Sequence, residues 1–127
     1  MLKEIVKYPL SIKGLSTTEF TEVKSPFSGE VVAVVGQADE KAIDAALTLA
    51  KETFENVMKK MPAYKRSEIL AKTSQLILSN IEDMAQTIAL EGGKPIKDAR
   101  VEVSRAANTF AIASREALRL DGEQLQM

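Results

Sequence analysis

A chain of 127 residues, 45% hydrophobic and 28% charged, has the length of one ordinary domain and the composition of a globular one. It contains no cysteine and no histidine, which excludes disulfides, thiolate nucleophiles, Cys/His metal sites and histidine general bases from its chemistry. A formal net charge of −1 gives no case for nucleic-acid or membrane binding.

Tryptophan is absent and aromatics are only 5%, so a core must be built mostly from aliphatic side chains. No apolar run approaches the roughly 18 residues of a membrane span, and the first residues lack the apolar stretch of a signal peptide. A cytoplasmic location is the default expectation.

Residues 1–24 alternate loosely, and residues 17–23 are rich in β-formers, which predicts one or two short strands. Ser25-Pro26-Phe27-Ser28-Gly29 is a turn signal: proline presets φ and glycine supplies a positive φ. Residues 30–35 carry Val31, Val32, Val34 and Val35, which predicts a strand apolar on both faces. Pairing of 19–24 with 30–35 makes a hairpin, and two strands alone are marginal in water, so it needs a partner surface.

Asp39 is a good N-cap. Ile43, Ala46, Leu47, Ala50, Phe54 and Val57 then share one face of a first helix that runs to about residue 59. Pro62 opens a second helix, with Ile69, Leu70, Thr73, Leu76 and Ile77 on its apolar face. Ser79-Asn80-Ile81-Glu82 has the form of a capping box for a third helix, which Gly92-Gly93 stops. Pro95 opens a fourth. Its face of Ala99, Val103, Ala106, Ala107, Phe110, Ser114, Ala117 and Leu118 is mainly small, suited to close approach by a neighbour, and Asp121-Gly122 ends it. The expected fold class is α+β, mostly helical: an N-terminal β-hairpin followed by about four amphipathic helices.

Few residues invite chemistry. Gly92-Gly93-Lys94 follows a helix rather than a strand and no Gly-x-x-x-x-Gly-Lys-Ser/Thr pattern exists, so it reads as a helix stop with a solvated lysine. No Gly-x-Gly-x-x-Gly fingerprint occurs. Glu82 and Asp83 suit a helix start. Glu91 sits at the helix end that disfavours an anion, which is tolerable on a surface or offset by a bound cation or by Lys94. Arg100, Arg105, Arg115 and Arg119 lie along the last helix with Glu102 and Glu116 interleaved, which suits solvated charge and local ion pairs. Arg105, at the edge of the apolar face, is the one that could direct a guanidinium into a cleft, where a carboxylate or phosphate is its natural ligand.

Several of these pieces, in this order, resemble the N-terminal region of the aldehyde dehydrogenase superfamily. Pro26-Phe27-Ser28-Gly29-Glu30-Val31 is similar to its Pro-x-Ser/Thr-Gly-Glu-x strand entry. Ala50 and Phe54 match the Ala-x-x-x-Phe that ends its first helix, and Arg66 and Leu70 its arginine-rich second helix. Leu90-Glu91-x-Gly93-Lys94-Pro95 matches its Leu-Asp/Glu-x-Gly-Lys-Pro signature. The resemblance covers residues 26–123. Glu102-Val103-Ser104-Arg105 and the run from Glu116 to Glu123 look most like the branch of non-phosphorylating glyceraldehyde-3-phosphate and lactaldehyde dehydrogenases.

The resemblance implies the N-terminal part of that fold, lacking the Rossmann-like and catalytic cores. Residues 1–127 would form a single segment: a β-hairpin arm at 1–36, a helical layer at 37–120, and at 121–127 the start of a linker to a coenzyme domain. It implies a parent enzyme that uses NAD or NADP to oxidise a small hydroxy- or phospho-aldehyde to a carboxylic acid. The doubly apolar strand at 31–35 and the small face of the last helix both want partners, so a homo-oligomer is expected. The family's nucleophile is a Cys thiolate, so this chain carries no catalytic residue and is expected to bind no cofactor alone. Arg105 matches a position near the substrate's anionic end. Glu91 matches a carboxylate that helps hold a monovalent cation in some members. The alternative is a truncated, non-catalytic helical interaction module.

Overall fold

In the computed structural model, which describes residues 5–119, three strands form one mixed sheet: β1 (Val6–Tyr8), β2 (Phe20–Lys24) and β3 (Val31–Gly36). The valine-rich β3 is central, in the order β1-β3-β2. Its antiparallel pairing with β2 sets Val23 opposite Ala33 and Phe20 opposite Gly36, which is the expected hairpin. In the connecting turn, Gly29 adopts φ 72° and its N–H donates to the Ser25 carbonyl at 2.8 Å. β1 adds a parallel edge, Val6 opposite Ala33. The Lys7 ammonium lies 3.7 Å from the centroid of the Phe20 ring, a cation–π contact between the two edge strands.

Helix α1 (Glu40–Asn56) starts as its sequence directs: Asp39 Oδ1 accepts from the Ala42 N–H at 2.8 Å. Its apolar stripe is not buried, however. Ala42 is the side chain turned inward, while Ile43, Leu47, Phe54 and Val57 are 51, 65, 55 and 50% exposed. Helical periodicity decides which residues share a face, and it does not decide whether this chain covers that face. A 3-10 turn at Met58–Lys60 follows.

Three further helices are α2 (Ala63–Ser79), α3 (Ile81–Gly92) and α4 (Ile96–Glu116). Ala85 of α3 and Ala99 and Val103 of α4 are buried together, with Ile77, Ile81 and Ile88 packed against them. The small residues of α4 let α2 approach closely enough for the Ser74 hydroxyl to donate to the Ala107 carbonyl at 2.8 Å, away from solvent. A buried hydroxyl without such a partner would be costly.

The expected capping box does not form. Only Asn80 separates α2 from α3, so Ser79 is still helical and lacks the extended backbone of an N-cap. Its hydroxyl donates instead to the Leu76 carbonyl at 3.0 Å, and the Asn80 amide reaches the same carbonyl at 2.8 Å. Glu82 is thereby left free to pair elsewhere. At the other end of α3, Gly93 takes the left-handed conformation, φ 64°, as the double-glycine stop requires.

The described residues divide into two compact units. One holds the sheet, α1 and residues 90–93; the other holds residues 60–89 and those from Lys94 onward. No described helix is long and apolar enough to cross a membrane. The expected linker at 121–127 lies outside the described residues.

Candidate functional site on the outer face of α4

The packing of Ala99, Val103 and Ala107 inward fixes the rotation of α4. Val101, Ser104, Arg105 and Asn108, spaced three and four apart, therefore share its exposed face. With Arg100 they line an open cleft of about 330 Å³. A second cleft of about 410 Å³ adjoins it, lined by Lys94, Asp98, Val101, Glu102 and Arg105. Val101 and Arg105 border both.

The charges around these clefts are not equivalent. Arg100 grips Glu82 at two points, Nε to Oε1 at 2.8 Å and Nη2 to Oε2 at 2.9 Å. That hydrogen bonding holds the Glu82 carboxyl below its ordinary range and raises Arg100 above its own. Lys94 is paired with Glu102. Glu102 stands one turn before Arg105 on the helix but is taken by Lys94. Among the described residues the Arg105 guanidinium makes no hydrogen bond or ion pair, so it is a full positive charge open to a ligand.

Glu91 lies in the last turn of α3, exposed. Lys94 makes its ion pair with Glu102. No group of three His, Cys, Asp or Glu residues is gathered among the described residues. Arg66 on α2 is half-buried, and its Nε is shielded from solvent without a hydrogen-bond partner among the described residues. Ser104 and Asn108 were not singled out from the sequence. Their signal was available: counting three and four from Arg105 and Val101 along a helix reaches both.

A family model described as the aldehyde dehydrogenase family matches residues 13–127. The chain belongs to the aldehyde dehydrogenase family. It is 34% identical over 124 residues to 3-sulfolactaldehyde dehydrogenase of Priestia aryabhattai, an alignment that covers 96% of this chain and 25% of that protein. With lactaldehyde dehydrogenase of Methanocaldococcus jannaschii the identity is 36% over 96 residues, 76% of this chain and 20% of the other. The crystal structure of aldehyde dehydrogenase 21 from Physcomitrella patens, in complex with the reaction product succinate, superposes with a TM-score of 0.89 at 34% identity, covering 98% of this chain and 26% of that one. The chain thus spans about a quarter of the length of these aldehyde dehydrogenases and corresponds to their N-terminal segment.

Proposed function

We propose that this segment belongs to an NAD- or NADP-dependent aldehyde dehydrogenase that oxidises a small hydroxy- or phospho-aldehyde to the carboxylic acid. In that reaction the aldehyde and water yield the acid, and the nicotinamide takes up the hydride. The segment serves a structural role and supplies one wall of the substrate's approach. Arg105 meets the anionic end of the substrate, and Glu91 contributes an oxygen donor to a monovalent cation at the negative end of α3. The parent is a cytoplasmic homo-oligomer. None of this chain's residues is assigned to the nucleotide, whose chemistry is to accept the hydride.

One observation carries this reading. Arg105 is the open cation of a cleft on a helix whose relatives act, by their names, on sulfolactaldehyde and lactaldehyde. A guanidinium in such a place presents two N–H groups to a carboxylate, sulfonate or phosphate.

The test is spectrophotometric. Full-length protein carrying this segment is expected to reduce NAD or NADP with three- or four-carbon aldehydes that bear a hydroxyl or an anionic terminus. Reduction of neither nucleotide with any of them contradicts the reading. The same preparation reports its assembly by light scattering, and the Glu91 site by the loss, in Glu91→Gln, of any gain in melting temperature in potassium over choline.

A further inference from the structure

Arg100 and Arg105 line the same cleft, yet among the described residues only Arg105 is without an ion-pair partner. The two-point hydrogen bonding to Glu82, at 2.8 and 2.9 Å, fixes the plane of the Arg100 guanidinium, engages two of its five N–H groups and balances its charge with a carboxylate. The Lys94 charge is likewise balanced by Glu102. The cleft of Arg100, Val101, Ser104, Arg105 and Asn108 has no carboxylate in its lining, whereas its neighbour includes Asp98 and Glu102. An anion therefore approaches Arg105 from the Ser104 and Asn108 side. It meets there one full positive charge, one hydroxyl and one amide, the last two neutral hydrogen-bond groups.

We propose that Glu82 sets the substrate class: by holding Arg100 it leaves the cleft one available cation, which makes it selective for a monoanionic terminus, carboxylate or sulfonate, over a phosphate dianion. This rests on the reading of Arg105 as the group that meets the substrate's anionic end. A phosphate monoester carries about −1.5 to −2 at neutral pH, so a single guanidinium leaves much of its charge unmatched, while a sulfonate or carboxylate is matched one to one. Glu82 is a positioning residue here. It touches no ligand and acts only through Arg100.

Calorimetric titration of the full-length protein with inorganic phosphate and with methanesulfonate tests this without relying on turnover. Glu82→Gln is a conservative change at an exposed position. It is expected to strengthen phosphate binding about fivefold, the upper range for an exposed ion pair, and to leave methanesulfonate binding about unchanged. The double variant Glu82→Gln with Arg100→Met is expected to return phosphate binding to its original strength. Phosphate binding unaltered in Glu82→Gln, or a gain that persists in the double variant, overturns the proposal. Failure of the wild-type protein to oxidise any aldehyde would overturn the enzymatic reading alone, because the difference in phosphate binding still decides the role of Glu82.

Discussion

Val103→Asp is expected to abolish the stable fold of the helical unit. Val103 is 2% exposed and packed among Ala85, Ala99, Ile77, Ile81 and Ile88, none of which offers a hydrogen bond to a carboxylate. An unpaired buried charge costs about 3–5 kcal/mol, against a typical domain stability of about 5–15 kcal/mol. Val103→Ala, which removes two methyl groups and leaves a void, is expected to cost about 2 kcal/mol. Urea unfolding followed by far-ultraviolet circular dichroism separates the cases. The alanine variant unfolds at lower urea, and the aspartate variant loses its cooperative transition. An aspartate variant that unfolds at the same urea concentration as wild type would mean that α3 and α4 do not pack as described.

Gly93→Ala is the second large effect, and its neighbour provides the control. At φ 64° an L-residue is strained, by about 1–2 kcal/mol. An added Cβ would also stand 2.9 Å from Pro26 Cγ, closer than such atoms approach. Gly92, the last residue of α3, has an ordinary φ and open space where a Cβ would go. Gly92→Ala is therefore expected to be neutral or to stabilise by about 0.4–1 kcal/mol, through a less flexible unfolded chain. The opposite signs of two adjacent and chemically identical substitutions are read from the same unfolding curves. Equal effects at both positions would contradict the left-handed stop.

Much of this structure was legible in the sequence, for local reasons. Four valines in five positions made β3, an aspartate made the start of α1, and paired glycines ended α3. The small face of α4 foretold a close helix contact, which the Ser74 to Ala107 hydrogen bond reports. What escaped was set by distance along the chain or by what lies outside it. β1 is three residues long and pairs parallel with a strand 27 positions on, too short for a periodic signal. Ile43, Leu47, Phe54 and Val57 share one face, as their spacing implies, but their exposure depends on what packs there. The capping pattern at Ser79 failed because the single residue between the helices, Asn80, takes the position before α3, its carbonyl accepting from the Met84 N–H, while Ser79 stays in α2.

The site shows the same division. Arg105 could be picked out because it sits at the edge of an apolar face. The pairing that makes it distinctive could not: Glu82 and Arg100 are 18 residues apart, and Lys94 and Glu102 are eight apart. Neither spacing is a helical neighbour relation. Tertiary packing, not local charge pattern, decides which of the two arginines lining that cleft, Arg100 or Arg105, remains unpaired.

The most direct test of the role of that open arginine is steady-state kinetics of Arg105→Met in the full-length protein, with one anionic and one uncharged small aldehyde. Loss of a charge-assisted hydrogen-bond pair is expected to raise KM for the anionic aldehyde by about tenfold or more, corresponding to about 1.5–3 kcal/mol. Turnover of the uncharged aldehyde should stay close to wild type, because Arg105 has no interaction with it to lose. An equal change for both aldehydes, or none for either, would mean that Arg105 does not face the substrate.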